Sequence, residues 1–154
     1  IKKINNLTNT EFLNKISEYF NVIESKNCNP KKSNEIGMYL KHKSYILKLK
    51  NKYKKEDCVN KLDSAIISNN ILRPILNIKN ERTSENIDFI SGKVPIKEIK
   101  ENINSNKYKV AFILKPITIN EIKSVADANK VMPPKSTYIE PKLRSGLTIY
   151  QMNK

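Results

Sequence analysis

The chain has 154 residues, 38% hydrophobic and 29% charged, which suits one hydrophobic core and falls short of the usual size for two domains. Its 29 Lys and Arg against 15 Asp and Glu give a net charge of +14, but these residues are spread along the chain, so nucleic acid is the less favoured partner. The chain has no signal-peptide pattern and no apolar run of bilayer length. We therefore expect one cytoplasmic domain, residues 1–154, with no membrane partner.

The first helix is predicted by a capping box. Thr8 can accept from the backbone N–H three residues on, Glu11 can reach back, and Leu7 and Phe12 occupy the staple positions. Apolar residues then recur on one helical face to about residue 20.

Alternating apolar residues at 36–40 and 45–49 predict two antiparallel strands. The short connector, 41–44, places His42 at a hairpin turn in water. A lone exposed histidine lacks the partner that acid–base chemistry requires, and Cys28 and Cys58 show no metal-ligand spacing. We expect no metal site and a reduced pair of cysteines.

The middle of the chain predicts helix, strand and helix in turn. A second helix follows Asp57 and runs through about Asn69. A short strand is expected at 87–90, and a third helix opens with Pro95 at its first turn.

The last third begins with a nearly continuous apolar run at 108–114, which predicts a central strand covered on both sides. A second capping box, Thr118 with Glu121, begins a fourth helix that ends near Asn129 and is expected to bury Ile119, Ile122, Val125 and Ala126. A last strand is expected at 147–150. The predicted fold is therefore α+β, a mixed and mostly antiparallel sheet covered by about four helices.

One candidate site is the proline-rich stretch after the fourth helix. Lys135 stands beside the hydroxyls of Ser136 and Thr137, and Lys142 and Arg144 follow closely, so these groups could converge on a phosphate or carboxylate. Alternatively, the same side chains tie down a long connection by bonding its backbone.

A second candidate is the pair Arg82 and Thr83, with Asp88 close behind. An arginine fork beside a hydroxyl suits oxyanions, and Asp88 could orient the arginine or act as a base. A structural Arg–Asp pair beside a turn explains the pattern equally well.

The sequence resembles domain-of-unknown-function family 1015 of bacteria and archaea. The resemblance rests on short segments in the family's order, most specifically Met132 to Thr137. The segments are Gly37 to Leu40, Leu72 to Leu76, Arg82-Thr83, Ile87 to Phe89, Val125 to Ala128, Met132 to Thr137, Glu140 to Leu143 and Ser145 to Leu147.

Family members are longer, and the resemblance implies that this chain, which opens at Ile1 with no initiator methionine, is a carboxy-terminal part. An Asp-Gly-His-His-Arg type motif, similar to a ParB-like or serine-kinase-like nucleotide site, lies upstream in the family and is absent here. The resemblance thus implies phosphoryl transfer on a small anionic metabolite, linked to serine metabolism. We expect a nucleotide with Mg²⁺ only in the full-length protein, an upstream domain as partner, and no activity of this chain alone. A nucleic-acid-binding regulatory module and a purely structural half are the alternatives.

Overall fold

A computed structural model describes residues 1–137, in which the first helix passes directly into a strand. Helix α1 (Asn9–Tyr19) begins at the predicted capping box, where Thr8 Oγ1 accepts the N–H of Glu11 at 3.3 Å. Strand β1 (Phe20–Ser25) was not predicted. Only Phe20 is buried along it, so β1 lacks the apolar alternation by which a strand is recognised.

The predicted hairpin is confirmed. Strands β2 (Glu35–Leu40) and β3 (Lys43–Leu49) pair antiparallel, with Leu40 opposite Lys43. Lys41 and His42 form the two-residue turn with φ of 44° and 65°, the left-handed pair whose twist matches that of the flanking strands. His42 is exposed there, as expected.

The described sheet has the order β1-β3-β2-β4, with every pairing antiparallel. Strand β4 (Val110–Ile113) comes from the predicted central run, but among the described strands it lies at an edge. Its residues after Val110 are only half-buried. Within residues 1–137 the apolar run therefore borders a cavity on the side of β4 that carries no described strand.

The strand predicted at 87–90 is wrong. These residues join none of the described strands, and the segment is instead held through Asn86. The carbonyl of Asn86 accepts the N–H of Lys2 at 3.0 Å, and its side chain exchanges two hydrogen bonds with the backbone of Lys3. This anchoring leaves 87–90 as an irregular wall beside β4.

The second helix is shorter than predicted. Asp57 Oδ1 accepts the N–H groups of Val59 and Asn60, which closes a turn where the helix was expected to start. Helix α2 (Asp63–Ile67) begins only after that turn and continues into a π-helical turn (Ser68–Leu72). A π-helical turn is wider than an α-helical one and is frequent at functional sites. This turn faces the chain segment that follows Leu72.

The last two helices begin as predicted. Helix α3 (Ile96–Asn104) follows Pro95, and helix α4 (Ile119–Asp127) follows the Thr118 capping box. Asn129, with φ of 54°, lies just beyond α4, as expected. The expected burial is right only for Val125, because Ile119 is 82% exposed and Ile122 and Ala126 are also exposed on a surface helix.

The main core lies between α1, one face of the sheet and the π-helical turn, and it includes Phe12, Ile36, Leu47 and Ile71. Both cysteines are free thiols. None of the helices within residues 1–137 has the length and apolar character to cross a membrane. The chain thus has the predicted α+β class, while the predicted strand at 147–150 lies outside the described residues.

Candidate functional site

Arg82 and Lys135, which are far apart in sequence, line one hollow on the protein surface. This outer hollow measures about 660 Å³ and is bounded by the irregular segment 81–89 on one side and by Pro134 and Lys135 on the other. The structure therefore brings together one cation from each of the two predicted candidate sites.

Neither cation forms an ion pair with another residue of the described part of the chain. Within residues 1–137, no carboxylate forms a salt bridge with the guanidinium of Arg82 or the ammonium of Lys135. The backbone of Arg82 is fixed, since its N–H donates to Asn80 Oδ1 at 2.9 Å, and its side chain is exposed. Both cations are thus available to a ligand in the hollow.

Asp88 also lines the outer hollow, but it does not pair with Arg82. Its Oδ2 accepts the hydroxyl of Tyr108 at 2.8 Å and lies 3.3 Å from Lys2 Nζ. The hydrogen bond from Tyr108, with help from Lys2, lowers the pKa of Asp88. A carboxylate held in its ionised form by two partners is poorly suited to the base role considered for it.

The loop around Lys135 is held by Ser136. Ser136 Oγ donates to the Pro133 carbonyl at 2.7 Å and lies 3.0 Å from Ser64 Oγ on α2. Ser136 therefore ties the loop down, as the structural alternative predicts, and Lys135 beside it adopts a left-handed φ of 57°.

Two other predicted residues, Thr83 and Thr137, do not join this group. Both threonines are exposed, and they line neither the outer hollow nor the neighbouring inner cavity. Lys142 and Arg144 lie outside the described residues.

An inner cavity of about 470 Å³ lies next to the outer hollow. The two spaces share the wall residues Glu81, Ile87, Asp88, Phe89, Pro134 and Lys135. Beyond this shared wall the cavity is mainly apolar and runs between α3, β4 and the start of α2, along Ile99, Ile103, Val110, Phe112, Leu114 and Leu62. A cavity of this size with a few polar groups is typical of a small-molecule site.

Asp63, the first residue of α2, is the most perturbed carboxyl in this cavity. Its Oδ1 accepts the N–H of Asn34 at 2.8 Å, and Oδ2 has no donor among residues 1–137. Burial, assisted by the charge of Glu121, raises the pKa of Asp63 to about 6, although the Asn34 bond and Lys115 act in the opposite direction. Sequence reasoning missed Asp63 because burial, its only distinguishing feature, leaves no local pattern.

A polar contact at the π-helical turn holds a residue that lines both spaces. The buried hydroxyl of Ser68 lies within hydrogen-bonding distance of Glu81 Oε1 and of the Ser64 carbonyl. Glu81, which borders both spaces, is therefore held by α2 and its continuation. Within residues 1–137, no group of three or more His, Cys, Asp or Glu side chains could hold a metal ion.

A family model described as "Protein of unknown function (DUF1015)" matches residues 1–65. The match covers α1, the strands β1 to β3 and the start of α2 with Asp63, whereas Arg82, Asp88 and Lys135 lie beyond it. Neither the curated proteins nor the solved structures contain a match. Residues 1–65 are therefore similar to the DUF1015 family, whose function is unknown and which is the family that the sequence resembles.

Proposed function

We propose that the chain binds a small organic anion, a phosphorylated or carboxylated metabolite, in the outer hollow. The observation that carries this proposal is that Arg82 and Lys135, from distant segments, line the same hollow and form no salt bridge with a carboxylate of residues 1–137. An arginine fork and a lysine ammonium are the groups that recognise phosphate and carboxylate in proteins.

The acidic residues of the same hollow do not cancel this preference. Asp88 is compensated by Lys2 and Tyr108, and Glu81 is bonded by Ser68. Among the described residues, an incoming anion therefore meets two cations that form no salt bridge and two carboxylates that already have partners. The balance favours an anion, and the geometry favours one small enough to touch both cations.

The family resemblance extends the proposal to phosphoryl transfer, with a link to serine metabolism. In that form Arg82 and Lys135 would neutralise charge on the transferred group and position it, while a nucleotide would bring its own Mg²⁺. The remaining catalytic groups would come from another part of a longer protein. Phosphate binding is the step that this chain's own residues support.

The test is an NMR titration of the 154-residue chain with inorganic phosphate and, separately, with phosphoserine at millimolar concentrations. We expect Arg82→Ala and Lys135→Ala each to weaken binding roughly tenfold, because a charge-assisted hydrogen bond contributes about 1.5 kcal/mol or more. Matched controls are Arg73→Ala, at an exposed arginine that bonds Asn69, and Lys97→Ala, at an exposed lysine of α3.

The proposal fails if millimolar phosphate and phosphoserine cause no shifts near Arg82 and Lys135, or if the control variants weaken binding as much as the site variants do. The nucleic-acid alternative makes a different prediction. Affinity for random DNA would fall steeply with salt and would depend on many lysines at once.

A further inference from the structure

We infer that the bound anion has an apolar body that enters the inner cavity and carries an amine that meets Asp63. This inference rests on the proposed function, since the anionic head must occupy the outer hollow first. It assigns the ligand class as an amphoteric molecule, with an acidic group at one end and a basic group at the other.

The connection between the two spaces supplies the first step. Because the outer hollow and the inner cavity share the walls at Ile87, Phe89 and Pro134, a ligand held at Arg82 and Lys135 has its body at the cavity entrance. Phe89 is 46% exposed at that entrance. An apolar ligand surface would cover it, and burying apolar area is favourable.

The lining of the cavity supplies the second step. The side chains behind the entrance, among them Ile99, Val110, Phe112 and Leu114, are aliphatic or aromatic. At about 470 Å³ the cavity exceeds what a bare phosphate fills and matches the size of a compact organic molecule. The interior therefore selects a body with an aromatic ring or a branched aliphatic chain.

Asp63 supplies the third step. It lines the cavity with one oxygen accepting the Asn34 N–H, and the other has no donor among residues 1–137. Of the charged groups that face it, Glu121 and Glu35 are acidic and Lys115 is basic, so the local balance is negative. An ammonium group placed here would offset a partly desolvated carboxylate.

The protonation of Asp63 makes the expected binding of the amine dependent on pH. Burial raises the pKa of Asp63 to about 6, so the carboxylate is ionised at neutral pH and protonated in mild acid. A cationic amine should therefore bind tightly at pH values above 7 and weakly at pH 5. Any change in the affinity for the phosphate group itself is measured with an amine-free probe and subtracted.

The experiment compares three probes on the 154-residue chain: inorganic phosphate, phenyl phosphate and the phosphate ester of tyramine, which adds an aminoethyl group to the ring. At pH 7.5 we expect phenyl phosphate to bind roughly tenfold more tightly than inorganic phosphate, because the ring buries apolar area. The amine should add a further gain of roughly tenfold. Intermolecular NOEs from the ring to the Ile99 and Leu114 methyl groups should locate it in the cavity.

Asp63→Asn separates the amine from the rest of the ligand. The asparagine retains an oxygen for the Asn34 N–H but carries no charge, so the variant should lose the gain from the amine and keep the affinity for phenyl phosphate. Asp127→Asn, at an exposed aspartate of α4, is the matched control and should keep both.

The inference and the proposed function can fail separately. If binding of all three probes is indifferent to Arg82→Ala, the anion site itself is wrong. Arg82→Ala could weaken the binding of all three probes while the ring adds no affinity and gives no NOEs to the cavity methyl groups. In that case the anion site stands, and the ligand does not enter the inner cavity. If the gain from the amine survives Asp63→Asn, Asp63 does not recognise it.

Discussion

Asp63→Asn should stabilise the protein at neutral pH. The pKa of Asp63 is raised by burial from its ordinary value of 3.8 to about 6, so the folded state binds the proton more tightly than the unfolded state. Stability from this group is therefore fully present below pH 4 and is lost as the pH rises through 6. The asparagine variant has no charge to desolvate and escapes this loss.

The magnitude follows from the shift. About two pKa units correspond to roughly 3 kcal/mol, and partial solvent access at Asp63 reduces this to about 1–2 kcal/mol. An ionised carboxylate at the start of a helix stabilises the helix by about 0.3–1 kcal/mol. Asp63→Asn loses this smaller stabilisation at pH values where Asp63 is ionised. Desolvation is the larger effect, and the net gain at pH 7 is expected to be about 1 kcal/mol, or roughly 2–4 °C in Tm.

The assay is denaturant unfolding of the parent chain and of Asp63→Asn between pH 3.5 and 7.5. The difference between the two proteins is the informative quantity, because other carboxyls act in the opposite sense. The hydrogen bond from Lys130 lowers the pKa of Asp57 to about 2, for example, and its contribution is lost in acid. A stability difference that stays constant across this pH range, or that favours the parent at pH 7, would refute the assignment of Asp63 as a desolvated carboxyl.

Three further substitutions test the fold around the site by thermal or denaturant unfolding. Gly37→Ala should cost roughly 1–3 kcal/mol or more, because the added Cβ would lie 1.7 Å from the Cys28 carbonyl oxygen. At Gly92 an added Cβ has nothing within 4 Å, so Gly92→Ala is the control and should change stability little. Equal effects of the two substitutions would contradict the close approach at Gly37. Thr118→Ala should cost about 1 kcal/mol through loss of the capping box, and no loss of α4 stability would refute that role. Ser68→Ala should cost about 1–2 kcal/mol by leaving the half-buried Glu81 carboxylate without its donor, and a neutral effect would show that water replaces the hydroxyl.

The elements that sequence reasoning identified are those whose signals are local. Both capping boxes, at Thr8 and Thr118, lie where their short-range hydrogen bonds predict. The hairpin turn at Lys41 and His42 was equally visible, since alternation on both sides fixes its position. Asn129 ends its helix for the same local reason, its tolerance of a positive φ.

The errors share a different cause, which is tertiary context. Strand β4 was predicted to be central, but among the described strands it lies at an edge and borders a cavity. Residues 87–90 have strand-like composition, but the bonds of Asn86 to the chain's first residues hold them outside the sheet. Helix α4 has an apolar face, and Val125 is the one residue of that face that is buried among the described residues.

The candidate site was predicted in part. Arg82 and Lys135 were chosen for their chemistry, and the fold places them around one hollow. The expected partnership of Asp88 with Arg82 was not found, because Tyr108 and Lys2 reach the carboxylate instead. No sequence pattern predicts which partners a carboxylate will bond, and none predicts the burial of Asp63.

The most direct test of the central claim is a phosphate titration that follows the side-chain NMR signals of Arg82 and Lys135 in the same sample. If both cations contact one anion, the two signals shift with a single Kd, and replacing either residue by alanine weakens the response of the other. Signals that shift with different Kd values, or that do not respond at millimolar phosphate, would contradict a shared anion site.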